Sequence, residues 1–205
     1  QLEKEGVLTL NKELPFPTLP QRIAVISSAT AAGYDDFNNQ LMNNEQGYAF
    51  DIRLFPALMQ GERVETSILS ALDAILQHPD TFDAVIIIRG GGSTSDLSGF
   101  DTYLLAAACA QFPLPIITGI GHERDDTVLD SVAYKRVKTP TAAAEFLLYR
   151  MDVAAESLTT LSNRLREATY GLLMMEKNRL LLFQQQIPRI THSLLTNEKI
   201  GLTGL

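Results

Sequence analysis

The sequence predicts an α/β fold, a parallel sheet of about four to five strands with flanking helices, followed by an extended helical, coiled-coil arm. Short apolar runs carry the sheet: Arg22–Ser28 (RIAVISS), Ala49–Pro56 (AFDIRLFP), Val85–Ile88 (VIII) and Pro115–Thr118 (PIIT). Where nothing polar alternates, as in Val85–Ile88, a strand is buried on both faces. Segments of helical periodicity separate these runs, and strands alternating with helices build a parallel sheet. Beyond Thr139, apolar residues step by three and four from Met151 to Met175, the signature of a coiled-coil seam.

Taken in order, residues 1–21 contain Pro15, Pro17 and Pro20 and read as an extended linker arriving from an upstream domain. The α/β domain occupies 22–139. After its first strand, the small-residue turn ATAAGYDDF leads into a helix running to about Glu45. Asp35 and Asp36 stand at the start of that helix, where an acid is suited to capping. From about Gly61 to Gln77, Val64, Ile68, Leu69, Leu72, Ile75 and Leu76 form the one-sided stripe of a helix lying on a sheet. Another helix is expected around Phe100–Gln111, and Asp126 and Asp130 fall in the first turns of the helix after the fourth strand. Thr139 is a good N-cap with Pro140 at the first helical position, which opens the arm, 140–205. Its seam is Met151, Ala154, Leu158, Leu161, Leu165, Ala168, Leu172 and Met175. A second set, Leu180, Phe183, Ile187, Ile190 and Leu194, resumes out of phase, and Pro188 is expected to kink or end the helix.

With 205 residues, 45% apolar and 20% charged, the chain has an ordinary globular composition. No apolar run approaches a membrane span and no secretory leader is recognisable, so a cytoplasmic protein without a membrane partner is expected. The lone Cys109, in LLAAACAQF, rules out an internal disulfide or a cysteine-based metal cluster and reads as core packing. A start at Gln1 and an end within a helical pattern suggest a piece of a longer protein. The net charge of −7 divides into −8 over residues 1–140 and +1 over 141–205. No basic nucleic-acid surface is visible, so a polyanion would be gripped locally or by another domain or subunit.

In such a sheet the ligand lies beyond the carboxyl ends of the strands, and the chemically notable residues cluster there. Arg89 follows the third strand and offers a fork-shaped cation. Gly90, Gly91 and Gly92, followed by Ser93, let the main chain approach an anion closely. Asp36 follows the first strand. His122, in the loop after the fourth strand, is able to move a proton near neutrality, and Asp125 is placed to orient its ring. Gly119 and Gly121 permit a sharp turn around it. His78, before a proline, and His192, in the tail, read as surface residues.

The segments RGGGSTSDL, GIGHERDDTVLDSVA and TPTAAAE (Thr139–Glu145), together with RIAVISSAT, closely resemble the large subunit of exodeoxyribonuclease VII. The resemblance spans roughly Leu8–Glu145 in order and spacing, then continues more weakly into the tail. It implies metal-independent hydrolysis of single-stranded DNA from its ends into short oligonucleotides, with no cofactor. The family's catalytic set falls on Asp36, Arg89, His122 and Asp125. Ala29 and Ala31 depart from the proline and glycine often found in the first turn, which leaves that turn's detail open. Arg124 occupies a variable position and is a candidate extra phosphate contact. The resemblance further implies an absent amino-terminal OB-fold domain and small helical subunits carried on the tail. Homo-association through the arm is a further candidate.

Independently of the resemblance, phosphodiester hydrolysis needs an activated water, stabilisation of phosphoryl charge and a proton for the leaving oxygen. Arg89 with the amides of Gly90–Gly92 suits the phosphate. His122 suits the base or the acid, and Asp36 suits a second proton transfer or the fixing of Arg89. Two other readings stay open: Asp35, Asp36, His122, Asp125 and Asp126 as ligands of divalent ions, and a non-catalytic nucleotide- or phosphate-binding domain. Lys135–Lys138 (KRVK) is the basic run near the site and a candidate DNA contact.

Overall fold

The computed structural model of the chain describes residues 2–90, 97–121 and 127–203. Five strands, β1 (Arg22–Ser27), β2 (Asp51–Pro56), β3 (Ala84–Ile88), β4 (Ile116–Gly119) and β5 (Lys135–Arg136), form one sheet in the order β2-β1-β3-β4-β5. Every neighbouring pair is parallel. The sheet lies in the first of two compact units, Gln1–Ala154 and Ala155–Leu205.

Strand alternation explains the layers. Ala24, Ile26, Val85 and Ile87 share one buried cluster with α2 (Val64–Leu76), α3 (Tyr103–Ala110) and α4 (Val128–Val132). Ile23, Val25, Ala84, Ile86 and Ile88 share the other with Phe37 and Leu41 of α1 (Ala32–Met42) and Ala143, Ala144, Leu147 and Met151 of α5 (Pro140–Thr203). The central strands are thus buried on both faces, which is what a run without polar alternation requires. Cys109 is part of the first cluster, and burial pushes its thiol up to about 12.

Several expectations are refined. The expected helix at Phe100–Gln111 resolves into a 3-10 turn, Ser98–Phe100, followed by α3. Neither Asp35 nor Asp36 caps α1: the N-cap is Ala31, which makes no side-chain cap bond. The helix begins at Ala32, so both acids lie within it. Lys135 and Arg136 of the basic run are strand residues, paired with Ile117 and Thr118 of β4. Residues 2–6 and 8–13 form turns, while Pro15–Pro17 and Pro20 lie in segments without regular structure. Leu2 is buried, Phe16 stacks on Tyr134, and the buried Asn11 amide donates to the Phe112 and Leu114 carbonyls and accepts from the Ile116 and Tyr134 amides. At the other end of the domain, Thr139 caps α5 as expected, its hydroxyl accepting from the Ala142 amide at 3.1 Å.

The second unit is helical. Pro188 lies inside α5 rather than at its end; a proline removes one amide donor, but the turns on either side keep theirs. Leu158, Leu161, Leu165, Leu172 and Met175 of the expected seam are exposed, as are Leu180, Phe183, Ile187, Ile190 and Leu194. Among the described residues, no helix is long and apolar enough to cross a membrane.

Candidate active site

Arg89 and Gly90 leave the carboxyl end of β3, a strand whose five residues are all buried. That end is held from both sides: Ser27 Oγ donates to the Ile88 carbonyl at 2.9 Å, and the Arg89 amide donates to the Gly119 carbonyl at 3.2 Å. Arg89 is only 6% exposed. A buried guanidinium is costly unless it is paired and hydrogen-bonded, and the position of Arg89 at the tip of an all-apolar strand is what made it legible in the sequence.

The glycines here serve close approach rather than unusual backbone angles. A Cβ on Gly33 would lie 2.8 Å from Pro140 Cγ, 3.0 Å from Gly90 Cα and 3.2 Å from the Arg89 carbonyl oxygen. A Cβ on Gly90 would lie 3.1 Å from Ala31 Cβ and 3.3 Å from the Gly33 nitrogen. The first turn of α1 therefore crosses the start of the glycine loop backbone to backbone. Gly119 is the last residue of β4, and its missing side chain admits the Thr139 carbonyl, 3.2 Å from where a Cβ would sit. Sequence reading passed over Gly33, although a glycine in a helix's first turn is a signal, because it forgoes about 1 kcal/mol relative to alanine.

These elements enclose a cleft of about 380 Å³ lined by Ser28, Thr30, Ala31, Ala32, Leu58, Met59, Gln60, Arg89 and Gly90. Of the residues expected to act chemically, Arg89 and Gly90 line it. Asp36 does not; it is exposed on α1, one helical turn beyond Ala32. Gly91, Gly92, Ser93, His122, Arg124 and Asp125, like Asp126, lie outside the described residues. Ile88 and Gly119 are register partners at the ends of β3 and β4, so the segments carrying those residues leave from adjacent strand ends. His78 is exposed, as expected of a surface residue.

The helix after that loop is anchored by a carboxylate the sequence reading assigned only to a helix's first turns. Asp130 is buried and closes a capping box with Thr127: its Oδ2 accepts from the Thr127 amide at 3.1 Å and hydroxyl at 2.8 Å, while the Asp130 amide donates to Thr127 Oγ1. Its Oδ1 accepts from Thr118 Oγ1 of β4, and Arg136 Nε lies 3.9 Å from Oδ2. One carboxylate thus ties the end of β4 to the start of α4 and to β5.

Comparison with known proteins gives a consistent assignment. Residues 7–202 match the family model described as exonuclease VII, large subunit. The chain is 35% identical over 194 residues to the exodeoxyribonuclease 7 large subunit of Synechococcus sp. (strain CC9605), covering 92% of this chain and 49% of that protein. It is 40% identical over 157 residues to the Deinococcus radiodurans protein of the same name, covering 76% and 38%. Against the Moorella thermoacetica protein of that name the identity is 35% over 193 residues, covering 94% and 46%. The chain therefore spans about half or less of the length of these relatives.

Proposed function

Because the chain belongs to the exonuclease VII large-subunit family, we propose that it is the hydrolytic part of an exodeoxyribonuclease that cuts single-stranded DNA from its ends into short oligonucleotides in the cytoplasm. The observation that carries this reading is the family match over residues 7–202, which includes every residue assigned a chemical role. The buried Arg89 and the close-packed Gly90 at the sheet's carboxyl edge support it.

In this reading Arg89 and the amides of Gly90, Gly91 and Gly92, with Ser93 and Arg124, hold the scissile phosphate. A water attacks phosphorus, the bond from phosphorus to the leaving sugar oxygen breaks, and two protons move: one from the water to a base, one from an acid to the leaving oxygen. His122 and Asp36 divide these transfers, and Asp125 orients the His122 ring. Arg89 spreads the charge that develops on the phosphoryl oxygens, and the reaction needs no metal. The exposed apolar stripe of the second unit, Leu158 to Met175, receives small helical subunits or a second copy of the arm.

The test is degradation of end-labelled single-stranded DNA by the full-length large subunit, assembled with its small subunit, in excess EDTA, beside His122→Ala and a duplex control. Cleavage of the single strand that survives EDTA and disappears in the variant is expected. Cleavage abolished by EDTA and restored by magnesium would assign the aspartates to a metal. No cleavage under either condition would favour a binding domain.

A further inference from the structure

We infer that the cleft beside Arg89 is a subsite for one unpaired nucleotide of the substrate strand, its phosphate toward Arg89 and its base over Leu58 and Met59. The inference rests on the proposed hydrolysis of single-stranded DNA and adds to it a place where a base is bound.

One wall of the cleft is the turn between β1 and α1, which carries Ser28 and Thr30. The opposite wall is the segment after β2, and it is fixed to the sheet. The Ala57 amide donates to the Ser27 carbonyl at 2.9 Å, extending the β1–β2 ladder beyond the last strand residue. The Leu58 amide donates to Ser67 Oγ of α2 at 2.9 Å. Gly61, at φ +83°, then turns the chain toward α2. This wall is in place before any ligand arrives, which lowers the ordering cost of binding.

The lining is chemically divided. Among the described residues that line it, Arg89 is the charged one. Met59 is packed at 5% exposure, while Leu58, at 46%, offers apolar surface to the cleft. Gln60 brings an amide that both donates and accepts, and the hydroxyls of Ser28 and Thr30, 3.3 Å apart, do the same. A free phosphate would leave the apolar wall unused, and a purely apolar ligand would leave the Gln60 amide and the Ser28 and Thr30 hydroxyls unused. A nucleotide matches both halves, joining one anionic phosphate to a flat base with a polar edge. The volume of about 380 Å³ lies near the lower end of the range for ligand pockets, room for about one such unit. A base within a duplex would have to be unstacked and unpaired to enter, at a few kcal/mol; a base in a single strand largely avoids that. The cleft thus supplies a physical reason for preferring single strands.

The experiment uses the full-length large subunit assembled with its small subunit and single-stranded oligonucleotides carrying one abasic residue, moved one position at a time relative to the scissile bond. The wild-type enzyme is expected to lose about tenfold in kcat/KM when the missing base falls at one position, the scale of one base contact. The Leu58→Ala/Gln60→Ala variant, changed only at exposed side chains, is expected to lose a similar factor on the intact strand and nothing further at that position. Gln60→Ala alone gives an intermediate loss and serves if the double variant fails to fold. Cleavage that ignores the abasic residue at every position, or variants as sensitive to it as the wild type, would overturn the subsite and leave the hydrolysis standing. A wild-type enzyme that cuts no single-stranded DNA would overturn both.

Discussion

Replacing Gly33 by alanine probes the backbone crossing beneath Arg89. The added methyl would lie 2.8 Å from Pro140 Cγ and 3.0 Å from Gly90 Cα, against 3.4 Å for ordinary contact, so the neighbours must withdraw by 0.6 and 0.4 Å. Neither yields easily: one is a proline ring at the start of α5 and the other is main chain. Overpacking of this kind costs about 1–3 kcal/mol, and the better helix propensity of alanine returns up to about 1 kcal/mol. A net loss of about 1–2 kcal/mol follows, seen as a urea midpoint lowered by roughly 0.5–1 M at the slope usual for a chain of this size. Gly90→Ala is expected to cost less, because its closest neighbour is the methyl of Ala31 at 3.1 Å. In the assembled enzyme, Gly33→Ala should also slow cleavage, since the Arg89 carbonyl moves with Gly90. A Gly33→Ala chain as stable as the wild type, or one less affected than Gly90→Ala, would refute the reasoning.

Arg89→Ala should reduce kcat of the assembled enzyme about 10²–10³-fold, the scale of one charge-stabilising donor, and Arg89→Lys should recover little of it because an ammonium lacks the guanidinium fork; steady-state kinetics on single-stranded DNA decide. Asn11→Ala strips the Ile116 and Tyr134 amides of their acceptor and should cost about 2–6 kcal/mol at about 1–3 per buried group, read from urea unfolding. Burial works to raise the Asp83 carboxyl, but the Arg22 side chain and the Gln21 and Arg22 amides together hold it below the ordinary carboxylate range. Its stabilising effect is therefore full above that range and is lost as pH falls through the lowered folded value. The stability gap between wild type and Asp83→Asn should be largest near neutrality and shrink below about pH 4, measured as urea midpoints across pH. Leu161→Glu with Leu165→Glu, on the exposed stripe of the second unit, should abolish co-purification of the small subunit while leaving the α/β unit's unfolding transition in place.

The strands were legible because burial on both faces demands a local pattern, a β-branched run without polar interruption, and β1, β3 and β4 each display one. β5 was not, because a strand of two residues at the sheet edge, Lys135 and Arg136, has no room for a pattern and reads as charge. Arg89 stood out as a cation ending an apolar run. Leu58, Met59 and Gln60 carry no motif at all; they enter the cleft because the β1–β2 ladder continues one bond past Pro56, a fact about pairing rather than composition. The same holds for Asn11, whose partners lie 101 to 123 residues away, so that its anchoring role leaves no local signature. Thr139 and Pro140 were readable as a helix start, a local role. Their other role, closing over Gly119 and Gly33, belongs to the packing of α5 on the sheet. Gly33 marks the boundary between the two kinds of information. Its place in the first turn of a helix is locally unfavourable, and a locally unfavourable residue is itself evidence that something distant requires it; what the sequence could not supply was the identity of that neighbour, the backbone of Gly90.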